Sequence, residues 1–196
     1  MRLEAVQLEN ERIRLEPHNK SHVDHIWPHA SAPDIWRYMP TSLRSKDDVH
    51  ALIDDSQRIA TSGNGVRFAI FEKQSGDFAG STSYMNVDLQ HLRVEIGFTW
   101  LVQKWRRTFV NTEVKLMLLE HAFESLGCIR VEFKTDALNR QSREALKRIG
   151  AVEEGTLRNH MIMPDGRYRH SVYFSILESE WSAVKRRLRS FLEKPS

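Results

Sequence analysis

The stretch that decides the fold begins Glu95-Ile96-Gly97-Phe98-Thr99-Trp100-Leu101 and runs to Gly150. Arg93 to Leu101 reads as a strand, and Gln103 to Asn111 as a loop carrying Lys104, Arg106 and Arg107. Thr112 to Leu126 has helical spacing: Val114, Met117, Leu118 and Ala122 mark one face, and Leu116, Leu119 and Phe123 widen it. Gly127 closes that helix. Ile129, Val131 and Phe133 then alternate with Arg130, Glu132 and Lys134, the period of a strand. Asn139 to Ile149 is a second helix, stopped by Gly150.

Towards the N-terminus, Phe78 to Asn86 and Val66 to Phe71 flank the turn Gln74-Ser75-Gly76-Asp77 and predict a hairpin. A helix starting at Ser45, with Asp48 completing a capping box, ends at Gly63-Asn64-Gly65. Ser21 to Tyr38 has helical spacing, but Pro28 and Pro33 are expected to break it into two short helices or turns. Val6 to Pro17 is extended. Towards the C-terminus, strands over Val152 to Met161 and Tyr168 to Ile176 flank Pro164-Asp165-Gly166. Ser179 to Glu193 is a basic amphipathic helix. Hairpins early and a strand-helix-strand unit late predict an α+β, or mixed α/β, fold.

The length of 196 residues suits one domain over 1–196, with the basic helix at about 179–193 appended. Forty per cent hydrophobic residues suffice for a core at this size. A net charge of +3 is too small to point to nucleic acid. The lone cysteine, Cys128, excludes an internal disulfide and reads as a buried structural residue. The N-terminus has no apolar signal core, and no apolar run nears the ~20 residues that span a bilayer. The expected location is therefore cytoplasmic, with no membrane partner.

The loop before the Thr112 helix carries the chemistry. A helix N-terminus has unpaired amides and partial positive charge, and so attracts anions. Lys104, Arg106 and Arg107 add charge here, and Thr108, Asn111 and Thr112 add neutral hydrogen-bonding groups. Two readings stand on these residues alone: a site for a phosphate-bearing ligand, or a solvated basic loop.

At these residues the chain resembles the GNAT superfamily of N-acetyltransferases. The resemblance rests on Glu95 to Leu101, on Arg106-Arg107-Thr108-Phe109-Val110-Asn111 with Thr112-Glu113, and on Asn139-Arg140-Gln141-Ser142. It extends through Ile149-Gly150-Ala151, Glu154-Gly155, Arg158-Asn159-His160, Pro164-Asp165-Gly166 and Tyr173-Phe174. The branch it looks most like contains the bacterial ribosomal-protein alanine N-acetyltransferases. The resemblance implies a strongly twisted, mostly antiparallel sheet with splayed strands flanked by helices. It implies acetyl-CoA as cosubstrate, no metal, and a homodimer.

In the family the pyrophosphate loop reads Gln/Arg-x-x-Gly-x-Gly/Ala. Arg106 matches its first position, Arg107 and Thr108 the free positions, Phe109 the first glycine, Val110 the next position and Asn111 the final small residue. Phe109 and Asn111 depart from the pattern, and Phe109 is expected either to crowd the loop or to turn its ring outward. Trp100 and Leu101 match the strand end whose backbone holds the pantetheine arm, and Asn139 a residue that bonds that arm. Thr112 belongs to the same coenzyme set.

Acetyl transfer to an amine needs the amine neutral, an oxyanion donor and an exit for the thiolate. Glu95 is the candidate base, working through water; its alternative is a strand carboxylate in an ion pair. The amide of Leu101 or Trp100 is the candidate oxyanion donor. Ser142 is the candidate acid for the thiolate; its alternative is a hydroxyl bonded to nearby backbone. His22, His25 and His29 read as solvated surface rather than a metal site, with Pro28 breaking their helix. The acceptor is expected to be a primary amine, on a small molecule or a protein N-terminus. Rival readings are a non-catalytic acyl-CoA sensor, which Phe109 suggests, and an RNA-associated protein using the basic tail.

Overall fold

The computed structural model describes residues 3–193. Its eight strands form one sheet in the order β1-β2-β3-β4-β5-β6-β8-β7. They are β1 (Leu8–Glu9), β2 (Ile13–Pro17), β3 (Val66–Glu72), β4 (Phe78–Asp88), β5 (Arg93–Leu101), β6 (Arg130–Asp136), β7 (Val152–Ile162) and β8 (Tyr168–Leu177). Every pairing is antiparallel except β5 with β6, which is parallel and covers only Arg93–Glu95 against Arg130–Glu132. Beyond Glu95 and Glu132 the two strands separate, and a wedge opens between them. The mixed α/β class and the mostly antiparallel sheet agree with the sequence reading.

The helices are α1 (Val23–Ala30), α2 (Pro33–Trp36), α3 (Lys46–Thr61), α4 (Val110–Glu120), α5 (Arg140–Ile149) and α6 (Glu178–Leu192). One face of the sheet packs Phe68, Ile70, Ile96, Val131, Phe133 and Phe174 against α4, α5 and α6. The other packs Ala69, Phe71, Phe78 and Trp100 against α1, α2 and α3. Strand alternation sends successive side chains to opposite layers. Ser45 caps α3 through Asp48, as the capping box predicts.

Two helices depart from expectation. Pro28 lies inside α1 rather than ending it. In a helix of eight residues it removes one backbone bond from a turn that Ile26 and Ala30 hold against the sheet. α4 starts at Val110, two residues early, and passes into a π-helical turn at His121–Ser125. Its residues from Thr112 to Leu119 are all buried, because α6 covers the side turned away from the sheet. Trp181 of α6 stacks on Phe123 at 5.4 Å between ring centroids and donates its indole N–H to Glu124 at 2.6 Å.

The basic tail is tied to the same surface. Lys185 reaches Glu120 and Glu124, and Arg189 reaches Glu120 at 3.6 Å. Cys128 is buried, and burial pushes its thiol up to about 11. His22 is buried, contrary to the solvated reading, and bonds to Glu16 at 3.0 Å. His25 and His29 pack against Phe71 and Phe78.

Candidate active site

The wedge begins at Glu95. Its carboxylate is 3% exposed; Oε2 accepts from Asn86 Nδ2 at 2.7 Å and lies 3.5 Å from Lys134 Nζ. Glu95 is thus an ion-paired strand carboxylate at the foot of the gap. Gly97 keeps this corner open, since a Cβ there would stand 3.1 Å from Glu95 Oε1 and 2.8 Å from Met85 Sδ. Phe98 takes a left-handed φ of 51° where the β4–β5 register shifts, a bulge that bends β5 away from β6.

Above the bulge, Val102 N–H donates to Ala79 O at 2.9 Å. Antiparallel rungs alternate, so the next pair, Gly80 with Leu101, turns its amide and carbonyl away from β4. Arg106 Nε takes the Leu101 carbonyl at 3.0 Å. The Leu101 amide is left facing the wedge. Trp100 is paired with Ser81 of β4, so the same alternation turns its amide and carbonyl towards β4; its indole is buried against Trp36 and Phe78, with Nε1 unpartnered among the described residues.

The mouth of the wedge is the N-terminus of α4. Thr108 Oγ1 accepts from the Val110 amide at 3.3 Å and donates to Trp105 O at 2.8 Å. The amides of Asn111 and Thr112 precede the first intrahelical bond, which runs from Glu113 to Phe109 O. Arg107 is exposed, with a left-handed φ of 61°. Phe109 has ordinary helical angles, and its ring lies under the Arg12 guanidinium at 4.2 Å and edge-on to Trp105. The ring is half-buried against the edge of the main core; the loop's left-handed residue is Arg107, so the backbone at 109 needs no glycine. Arg106 is engaged by Leu101 O, Gln103 and Asp34. Lys104 pairs with Asp77.

Three further residues border the wedge that the sequence reading did not single out. Arg148 of α5 donates to Thr112 Oγ1 at 3.0 Å, which brings a guanidinium to the α4 N-terminus. Lys115 of α4 is 6% exposed and donates to Thr99 Oγ1 at 3.1 Å. Arg169 of β8 is 4% exposed, with Nε unpartnered among the described residues and a 3.4 Å contact to Tyr38 O. Desolvation lowers its pKa. The sequence signal for each was weak: Lys115 and Arg148 sit in helices as ordinary surface residues would, and Arg169 alternates along a strand.

α5 supplies the opposite wall. Asn139 Oδ1 accepts from the Ser142 amide at 3.0 Å, making Asn139 the helix cap. Its amide nitrogen has no partner among the described residues, nor does the Ser142 hydroxyl. On the other face of the sheet, Tyr173 packs against Lys134 and His160, and His160 Nδ1 shares a hydrogen bond with Ser171 Oγ at 3.0 Å. A basic, amide-rich mouth, an apolar wedge and a polar opposite face suit an elongated ligand with a diphosphate at one end.

Comparison with known proteins agrees with this geometry. Residues 12–152 match the family model described as an acetyltransferase (GNAT) domain. A putative acetyltransferase from T. thermophilus superimposes with a TM-score of 0.87 at 32% identity, over 98% of this chain and 100% of that one. A GCN5-related N-acetyltransferase from Brucella melitensis gives a TM-score of 0.90 at 28% identity, over 98% and 87%. The chain is also 28% identical to the putative ribosomal N-acetyltransferase YdaF of Bacillus subtilis, over 76% of its own length and 80% of that protein's.

Proposed function

Since the chain belongs to the GNAT family and is an acetyl-CoA-dependent N-acetyltransferase, we propose that it acetylates a primary amine by direct attack within a ternary complex. The observation that carries this reading is the short parallel pairing of β5 and β6, which ends at Glu95 and Glu132 below the open N-terminus of α4. A pantetheine arm fits such a gap, and a diphosphate fits its mouth.

Each residue then has a task. The amides of Asn111 and Thr112, with the loop Arg106 to Val110, hold the diphosphate by hydrogen bonds and by the helix dipole. Arg107 and Arg148 supply charge. Asn139 holds the pantetheine arm from α5, and Leu101 lines it from β5. The Leu101 amide donates to the oxygen that gains charge as the amine attacks. Glu95 takes the amine's proton through water, and its ion pair with Lys134 keeps it oriented. Ser142 is a donor on the thiol side.

The acceptor approaches from the Tyr173 and His160 face. It is a small-molecule amine or a protein N-terminus; the similarity to YdaF favours the latter. The same reading has the enzyme act in the cytoplasm as a homodimer. No helix among the described residues is long and apolar enough to cross a membrane. Thiol release from acetyl-CoA, followed over a panel of amines and N-terminal peptides, tests the proposal. Turnover with at least one acceptor supports it, and coenzyme binding without turnover on any acceptor contradicts it.

A further inference from the structure

Lys115 is a buried amine with no assigned task. Its Nζ bridges the wedge: it donates to Thr99 Oγ1 of β5 at 3.1 Å and stands 5.6 Å from the centre of the Phe133 ring of β6. Thr99 is four residues past the last β5 rung that pairs with β6, and Phe133 is one past its counterpart. The amine therefore occupies the gap itself, on the α4 side of the sheet. Thr99 Oγ1 is in turn hydrogen-bonded to Thr82 Oγ1 at 2.8 Å.

An ammonium has three protons to donate, and Thr99 accepts one. No carboxylate among the described residues lies within ion-pair distance of Nζ; Glu113, on the same helix, is turned to Arg12 and Asn10. Thr99 and the Phe133 ring face the amine, Thr82 backs Thr99, and no charged group among the described residues shifts its titration. Burial alone pulls its pKa from 10.5 to about 7. A buried amine with unused donors is costly unless a ligand completes it.

We propose that Lys115 contacts the sulfur of the bound thioester and gives its proton to the departing CoA thiolate. This rests on the acetyltransferase reading. As the acceptor nitrogen forms its bond to the acetyl carbon, the C–S bond breaks and its electron pair goes to sulfur. The ammonium holds the sulfur as the thiolate while CoA stays bound, and the proton passes from Nζ to sulfur as CoA leaves as the thiol and Lys115 is left neutral. The proton lost by the acceptor nitrogen leaves through Glu95 and solvent, and Lys115 recovers one from water before the next turnover. An amine able to exist in both forms near neutral pH suits a proton donor.

The test needs no knowledge of the acceptor. Coenzyme A is bound to the wild-type enzyme and to Lys115→Met, and the thiolate is followed by its ultraviolet absorption against pH. An ammonium beside sulfur favours the thiolate over its free behaviour, in which the thiol has a pKa near ~8.5. Wild type is expected to hold about tenfold more thiolate near neutral pH than free coenzyme does. Lys115→Met is expected to lose that excess while binding coenzyme within about threefold of wild type. Lys115→Arg should keep the thiolate, because its charge remains, yet lower turnover about 100-fold, because guanidinium does not yield its proton. Lys115→Gln replaces the Met variant if the latter does not fold. Equal thiolate in wild type and the Met or Gln variant, with both binding coenzyme, overturns the inference and leaves the acetyltransferase reading intact. Failure of wild type to bind coenzyme overturns both.

Discussion

Lys134 Nζ lies 3.5 Å from Glu95 Oε2, across the point where β5 and β6 part. The pair sits at the foot of the wedge, and Asn86 fixes the same carboxylate oxygen from β4. Three strands thus aim one carboxylate at the gap. Glu95→Gln keeps the shape and removes the proton acceptor. Turnover should fall about 100-fold, while coenzyme affinity stays near wild type. Steady-state kinetics alongside a coenzyme titration separates the two, and unchanged turnover would remove Glu95 from the mechanism.

Arg148 approaches the α4 N-terminus from a different helix, through Thr112. If it contributes charge to diphosphate binding, Arg148→Ala should raise the KM for acetyl-CoA about tenfold, which corresponds to ~1.4 kcal/mol for a charge-assisted contact. The kcat should change little. Added salt should shrink the difference, since the arginine is exposed and screened. A KM indifferent to both the substitution and salt would assign Arg148 to packing.

Gly80 permits the close approach of β4 to β5 beside the Leu101 amide. A Cβ there would lie 2.1 Å from Trp100 O and 2.9 Å from Leu101 Cα, at a φ of 148°. Both contacts are backbone and cannot swing aside. Gly80→Ala should cost about 3 kcal/mol of stability through overpacking and strain. Denaturant unfolding measures this, and a loss under about 0.5 kcal/mol would contradict the account of this rung.

Stability should fall on acidification. His18 bridges Ser56 of α3 and Ser81 of β4, each at 3.2 Å, and burial pulls its pKa from 6.5 to about 3. Its folded pKa is depressed, so the unfolded chain binds the extra proton first. The stability it contributes is fully present above 6.5 and is lost as pH falls towards 3. His22 shifts in the same direction, chiefly through burial. Thermal unfolding between these limits should show a Tm that climbs with pH, and His18→Gln should flatten the climb. An equally steep climb in the variant would contradict the assignment.

How far the sequence could be read depended on the distance over which each feature is decided. Period-two alternation located the strand at Val131 and Phe133, and helical spacing with Gly150 located α5, because local patterning determines both. The face of α4 was harder to read. Lys115 and Glu113 look like the polar side of an amphipathic helix, yet both are buried, because α6 covers one side and Arg12 arrives from 101 residues away. The Phe109 departure was resolved only by knowing where the ring could go, which depends on Arg12 and Trp105. Arg169 was invisible for a similar reason: that it has no ion pair among the described residues is a property of neighbours on other elements.

Calorimetric titration of the full-length protein with coenzyme A and with acetyl-CoA bears most directly on the wedge as a thioester site. Saturable binding of one coenzyme per chain is expected, with a Kd between about 1 µM and 1 mM, weakened by Arg148→Ala. No measurable heat with either compound, from folded protein, would contradict the account at its root.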